Sequence, residues 1–157
     1  MKQILALVLS LMAAPTFALD SIGTVTARFE GADLSWQVLT TDDGAAMVQV
    51  NNIGPLIMID THAMGDGDVY IGLIFQGEPA IDVTPVGITI DISPESAAGP
   101  VWKSESATVT PKLSIERLSL DGAGRMEAGF EAMLCRSDAP AICEMVTGRI
   151  ETDLGLP

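Results

Sequence analysis

The sequence predicts an all-β domain, an antiparallel sandwich or flattened barrel of about nine to eleven short strands. Apolar and polar residues alternate along most of the chain, and this period of two is typical of half-buried strands. Clusters of Gly, Pro, Asn and Asp separate the alternating runs at a spacing of roughly 8–12 residues, which is typical of sandwiches and barrels. No long stretch has the 3.6-residue period of an amphipathic helix.

The first two predicted strands form a hairpin. A turn over Glu30–Asp33 separates two alternating runs, and a second turn follows at Thr41–Gly44. The apolar side of the two runs consists of Val25, Ala27 and Phe29, then Leu34, Trp36 and Val38.

A third strand is predicted over Ala46–Asn51, and Asn52–Pro55 ends it. The continuous apolar run Leu56–Ile59 predicts a fully buried strand. Asp60–Asp68 is polar and rich in glycine, so we expect a loop there.

Val69–Phe75 alternates clearly and predicts the next strand. Ile81 and Val83 begin another strand, which Pro85 interrupts, as in an edge strand or bulge. Strand Ile88–Ile92 is followed by the loop Ser93–Pro100.

Val101–Val109 predicts a weaker strand anchored by Trp102. Leu113–Leu120 predicts a strand with a bulge, because the apolar parity slips between Ile115 and Leu118. One helical turn over Ser114–Leu120 is the alternative.

The last stretch, Asp121–Leu154, predicts a terminal hairpin around the turn segment Arg136–Ile142. Parity places Cys135 and Cys143 on the same face of neighbouring strands, as a cross-strand disulfide requires. A redox-active pair is the alternative, but it is usually C-x-x-C at the start of a helix, and neither feature is present.

Residues 1–18 have the features of a secretory signal peptide. Lys2 precedes the apolar run Ile4–Met12, and Thr16-Phe17-Ala18 provides small residues for cleavage after Ala18. An uncleaved signal anchor is the alternative. We therefore expect a single β-sandwich domain over residues 19–157, without a membrane anchor, in the bacterial periplasm or secreted, where a disulfide persists.

The chain is strongly acidic, with a formal net charge of −13 at pH 7. Removal of residues 1–18 takes away Lys2 and no acidic residue, so the charge becomes −14. Such a chain repels nucleic acid and anionic membranes, because binding there depends on Lys and Arg. Solubility is the simplest role for this charge, and a basic partner or a cation is the alternative.

His62 is the only histidine, and it cannot form a conventional zinc site with two cysteines that are expected to be disulfide-bonded. No G-x-S-x-G motif occurs, so a Ser-His-Asp site is not expected either. Asp60, Asp66 and Asp68 could offer oxygen ligands to Ca²⁺, although the segment does not fit the EF-hand pattern. His62-Ala63-Met64 resembles the last part of the copper-binding motif of periplasmic copper chaperones, but the second histidine is missing. We predict no metal and no other cofactor.

Paired carboxylates such as Asp42-Asp43, or Glu127 with Glu131, could serve a glycosidase. A sugar cleft is usually lined with aromatic side chains, and only 4% of the residues are aromatic. The acids are therefore interpreted as a solvated face, and no catalytic residue is assigned.

Both ends of the chain resemble small exported proteins of alphaproteobacteria. The similar segments are Gly23–Trp36, Ala132–Arg136 with Cys143, and Val146–Leu154, which together are 29 of the 157 residues. The resemblance implies the same β fold and compartment. Since that family has no assigned activity, it adds no catalytic residue.

We therefore expect an exported, non-catalytic binding or interaction module for an unknown protein or small-molecule partner. It would act through loops such as Asp60–Asp68 and Ser93–Pro100, since loops on a rigid sandwich are common binding sites. A carrier of a small apolar ligand inside a barrel-like sheet is the alternative. A Ca²⁺- or copper-binding protein and an enzyme are less favoured, and the oligomeric state is left open.

Overall fold

A computed structural model describes residues 19–40, 46–95 and 98–155. This part contains ten strands and one short 3₁₀ turn at Ser104–Ser106. No helix in it is long and apolar enough to cross a membrane. The strands are β1 (Asp20–Phe29), β2 (Ala32–Thr40), β3 (Val48–Ile53), β4 (Leu56–Met64), β5 (Asp68–Gln76), β6 (Gly87–Ser93), β7 (Trp102–Lys103), β8 (Lys112–Ser119), β9 (Arg125–Arg136) and β10 (Cys143–Asp153).

All strand pairs are antiparallel, and the hydrogen-bonded order is β10-β1-β2-β4-β5-β6-β7-β9-β8. Pairing of β9 with β10 closes this path into a ring, while β3 pairs only with β4. The ring is narrow at two corners, because β2 meets β4 through the single pair Gln37–Met64 and β7 has only two residues. We therefore describe a smaller layer, β3-β4-β5-β6, and a larger layer, β2-β1-β10-β9-β8. The predicted all-β sandwich or flattened barrel is confirmed.

Alternate residues of the strands point into the space between the layers and form one core. Phe29 and Trp102 meet edge to face at the β7 corner, with their ring centroids 5.0 Å apart. The predicted apolar faces of β1, β2 and β5 are all buried or nearly so. The largest completely buried side chains are Trp36, Phe75, Ile59, Ile71, Leu73, Ile90, Ile92, Met126, Leu134, Ile150, Leu154 and Val25.

The β1–β2 turn is shorter than the predicted turn over Glu30–Asp33. Glu30 and Gly31 alone connect the strands, with φ angles of 49° and 80°. Two residues with positive φ match the right-handed twist of a hairpin, and glycine adopts this conformation without strain.

The terminal hairpin is confirmed, and it is the longest in the fold. Its two strands pair from Arg125–Asp153 to Cys135–Cys143 without a register shift. Cys135 and Cys143 are directly opposite, with Cα atoms 4.0 Å apart, and they form a disulfide. The pairing predicted from parity is therefore present.

The predicted loop over Asp60–Asp68 is wrong. β4 continues to Met64 and β5 begins at Asp68, so only Gly65–Gly67 connects them. Ile59, Thr61 and Ala63 continue the inward alternation of β4, which the polar residues between them obscured. Leu56–Ile59 is likewise only the start of β4 and is not fully buried, since Ile59 alone of its four residues is buried.

Two other strand predictions also need correction. Ile81 and Val83 lie in an irregular connection between β5 and β6, and Ile81 is exposed. Pro85 cannot donate a hydrogen bond to a neighbouring strand, and together with the polar residues around it leaves an alternating apolar run that is too short to pair as a strand. The predicted strand Val101–Val109 reduces to β7, because the 3₁₀ turn follows immediately.

β8 is a strand with a bulge, as expected. Its register with β9 shifts between Ile115 and Arg117, and no helical turn forms there. The predicted signal peptide, cleavage after Ala18 and the turn at Thr41–Gly44 lie outside the described residues.

Candidate functional site

The β4–β5 turn within Asp60–Asp68 lies against Ser93 and Pro94, the start of the second segment predicted as a binding loop. The β4–β5 turn is tightly packed: a Cβ atom on Gly67 would overlap the carbonyl of Ser93, and one on Gly65 would lie 2.7 Å from the carbonyl oxygen of Ser35. Gly65 N–H also donates to the carbonyl oxygen of Gly67, at 2.9 Å. Asp60–Asp68 is therefore a strand end and a clamped turn rather than an open binding loop.

His62 and Asp60 lie on the outer face of the smaller layer with Tyr70. The Tyr70 hydroxyl donates a hydrogen bond of 2.6 Å to Asp60 Oδ1, and the His62 ring is 4.8 Å from the Tyr70 ring. To reach Asp60, Tyr70 lies across Gly72, where a Cβ atom would overlap its hydroxyl. Burial, followed by the bond to Asp60, raises the pKa of Tyr70 to about 12. The phenol is thus a proton donor at neutral pH.

Asp91 and Lys103 extend this polar group along the same face. Lys103 Nζ lies 3.5 Å from Asp91 Oδ2, while Asp91 Oδ1 is buried without a hydrogen-bond partner among the described residues. Burial raises the pKa of Asp91, and the ammonium group of Lys103 partly opposes this effect. Asp91 and Lys103 therefore form an ion pair on the outer face of the smaller layer.

These residues do not assemble a metal centre in the part of the chain that the structure describes. No group of three or more His, Cys, Asp or Glu side chains could hold an ion there. Both cysteines belong to the disulfide. His62 and Met64 share the exposed face of β4, but the Asp60, Asp66 and Asp68 cluster considered for Ca²⁺ is divided between β4, the turn and β5.

The outer face of the larger layer carries a groove that crosses its strands. Two adjoining cavities form it, one of about 500 Å³ over β2, β1 and β10 and one of about 430 Å³ over β10, β9 and β8. They share Thr147 and Gly148. None of the lining residues comes from the smaller layer, so the groove opens on the outside of the sandwich.

Small side chains make the floor of this groove. Strand register places Ser114 beside Gly129, Gly129 beside Arg149, Arg149 beside Thr26, and Thr26 beside Ser35. Arg149 also lines the groove, and its guanidinium group donates hydrogen bonds to Glu116 and Glu151.

Gly129 is the residue that keeps the floor low. Its φ is not in the left-handed region, and a Cβ atom would meet only the carbonyl oxygen of Gly148 among the described atoms, at 3.8 Å. The neighbouring Gly148 is different, because a Cβ atom there would overlap the Phe130 ring. The fold requires glycine at 148 but not at 129. A glycine inside a strand that packing does not require often marks the close approach of a ligand or another backbone.

Exposed ion pairs stand at both ends of the groove. Arg28 lies 3.6 Å from Asp33 over the β1–β2 hairpin, and Lys112 lies 3.3 Å from Glu131 over β8 and β9. Exposed pairs of this kind contribute little to stability, so their charged groups are available to a ligand.

Sequence reasoning did not identify this groove. Strand order brings β8, β9, β10, β1 and β2 together, and single-strand periodicity contains no information about order. The one available signal was Gly129, which interrupts the polar side of β9 between Glu127 and Glu131.

Comparisons with protein-family models, with curated proteins and with solved structures found no match for this chain.

Proposed function

We propose that this protein is an exported, non-catalytic binding module whose binding surface is the groove over the larger layer. The observation that carries the proposal is Gly129, a strand glycine that packing does not require, at the floor of a groove of small side chains. Rigid strands hold the surrounding side chains, which gives a binding surface fixed geometry.

The groove is best suited to an extended polypeptide segment of a protein partner. It is lined by hydroxyl groups, by charges of both signs and by apolar residues that include Leu34 and Leu113, while Phe130, which also belongs to the lining, has a buried side chain. A sugar ligand would normally stack on an aromatic ring. Five strands span about 19 Å, which is the length of about six extended residues.

The packed interior supports surface binding over carriage of an apolar ligand. Inward side chains from both layers, such as Ile59, Leu73, Leu134 and Ile150, are completely buried and belong to one hydrophobic core. The lone histidine packs against Tyr70 with the two ring planes tilted by 38°. Native mass spectrometry distinguishes surface binding from carriage of an apolar ligand. A carrier would retain its ligand, which would be detected as extra mass that is lost on denaturation.

Export rests on the signal-like residues 1–18 and on the disulfide. Every described strand begins after Ala18, so cleavage there would leave the whole fold in place. Protein recovered from the periplasm should have the mass of residues 19–157 less two hydrogens. A mass that includes residues 1–18 would contradict this proposal.

The binding proposal is tested by selecting displayed random octapeptides on the oxidised protein. Selected peptides should bind Gly129→Val at least 10-fold more weakly than the unchanged protein, because the new side chain fills the floor. Thr89→Val, on the outer face of the smaller layer, is the matched control and should bind unchanged. Equal binding by Gly129→Val and the unchanged protein would refute the groove as the site.

The glycine substitutions also have opposite expected effects on stability. Gly129→Val should raise the free energy of unfolding by about 0.5–1 kcal/mol, since valine favours strands and glycine loses more entropy on folding. Gly148→Val should lower it by about 1–3 kcal/mol through overpacking against Phe130. Urea unfolding measures both values, and loss of stability in Gly129→Val would show that the floor is not open.

A further inference from the structure

The outer edge of β3 has no strand partner in the part of the chain that the structure describes. β3 pairs only with β4. His62 N–H donates to the carbonyl oxygen of Met47, so the alternation of backbone groups turns Gln49, Asn51 and Ile53 toward β4. The N–H and C=O groups of Val50 and Asn52 therefore face away from the sheet.

Two other strand edges in the described part of the chain, those of β6 and β8, are at least partly covered or protected. Ser104 Oγ accepts a hydrogen bond of 2.8 Å from Ile90 N–H beside β7, which covers the edge of β6. β8 carries Lys112, Glu116 and Arg117 together with a bulge, and both features discourage edge-to-edge pairing. β3 has neither charge nor bulge nor proline.

The composition of β3 is unusual for this chain. Its sequence, VQVNNI, contains no charged residue, although the whole chain has a net charge of −13. A strand edge without charge or proline lacks the usual protection against pairing, and Asn and Gln side chains can form ladders between paired strands. From Gln49 to Ile53 the edge is accessible, whereas Val48 is buried.

We propose that β3 pairs with β3 of a second copy of this chain, antiparallel and with Asn51 opposite its own counterpart. This register sets Val50 opposite the partner's Asn52 and Asn52 opposite the partner's Val50. In this register the outward N–H and C=O groups of Val50 and Asn52 form hydrogen bonds between the two copies. A two-fold axis at Asn51 makes the contact closed, so it forms a dimer rather than a fibre.

A second copy is the occupant because the edge is neutral and self-complementary. In this register the two Asn51 amides meet and can exchange hydrogen bonds, while Gln49 lies opposite the partner's Ile53. No acidic side chain of β3 meets another, so pairing avoids the repulsion expected elsewhere between two chains of this charge. Only a few residues of each copy take part, so the contact is smaller than a standard stable interface and the dimer is dependent on concentration.

The proposed register can be tested by placing opposite charges at Asn51 of the two copies. Asn51→Lys alone and Asn51→Glu alone should be monomeric, because directly opposite residues of a non-hydrogen-bonded pair lie close together and like charges repel. An equimolar mixture should form a heterodimer at least 10-fold tighter than either variant alone. Sedimentation equilibrium of the oxidised protein up to millimolar concentration measures both, with the same pair of substitutions at the exposed Gln76 as control.

Hydrogen exchange provides an independent measurement on the unchanged protein. The amides of Val50 and Asn52 should exchange more slowly as concentration rises, whereas those of β8 should not change. A protein that stays monomeric at millimolar concentration, or a mixture no tighter than its components, would overturn the proposal. Protection of the β3 amides by an added peptide in a monomeric protein would also overturn it, since the edge would then serve another chain.

Discussion

Tyr70 is the only tyrosine of the chain, so its ionisation can be followed without interference from another phenol. Burial and the hydrogen bond to Asp60 raise its pKa to about 12. Ultraviolet titration of the folded protein should therefore show a midpoint about two pH units above the unfolded value of about 10. Because the folded pKa is the higher one, the stabilisation is complete below pH 10. It is lost as the pH rises toward 12.

The Asp60→Asn variant separates the two causes of this shift. Removing the carboxylate should lower the pKa of Tyr70 while leaving it above 10, because burial is the larger cause. Glu78→Gln, in the β5–β6 connection, is the charge-matched control and should leave the midpoint in place. A midpoint near 10 in the unchanged protein would show that Tyr70 does not lie across Gly72 as described.

The single hydroxyl group of Ser104 provides a hydrogen-bond acceptor for a backbone donor at the edge of β6. It is buried and accepts the hydrogen bond of the buried Ile90 N–H. Ser104→Ala leaves that donor without a partner and should lower the free energy of unfolding by about 1–3 kcal/mol. Ser106→Ala, at an exposed position of the same 3₁₀ turn, should have little effect in the same urea titration.

The disulfide of the terminal hairpin should contribute to stability without defining the fold. It closes a short loop, since the cysteines are eight positions apart, and the chain-entropy account gives about 2–3 kcal/mol. Replacing both cysteines by serine should lower the melting temperature, while the β9–β10 ladder keeps the circular dichroism spectrum unchanged. A spectrum that loses its β signal at 25 °C would show that the hairpin depends on the bond.

The elements best predicted from the sequence are those with one face in the core and one in water. β1, β2, β5 and the terminal hairpin alternate cleanly, and even the bulge of β8 follows from slipped parity. The end of β4 was predicted as a loop because its outward residues Asp60 and His62 are polar and two glycines follow, although Ile59, Thr61 and Ala63 continue inward. The groove could not be predicted, since pairing between distant strands is set by the packing of the whole domain rather than by local pattern.

The distribution of charge is a property of the whole molecule. Lys2 lies outside the described part, and each of the other seven Lys and Arg residues has an acidic partner within 4.0 Å. Arg125 and Arg149 each contact more than one carboxylate on the outer face of the larger layer. Many acidic side chains, including Glu30, Glu78 and Glu144, have no such partner in the described part. The excess charge is therefore negative and spread over the surface.

This imbalance predicts how stability depends on ionic strength. The ion pairs are mostly exposed and contribute little each, so repulsion among the unpaired acids should be the larger electrostatic effect at low salt. The screening length falls from about 30 Å at 0.01 M to about 8 Å at 0.15 M salt, which weakens repulsion between distant carboxylates more than contacts within a pair. The melting temperature should therefore rise by a few degrees over this range, equally in NaCl and KCl. A fall would mean that the ion pairs on the larger layer outweigh the repulsion, and the Arg149→Gln variant, which removes contacts to Glu116 and Glu151, should then reduce that fall.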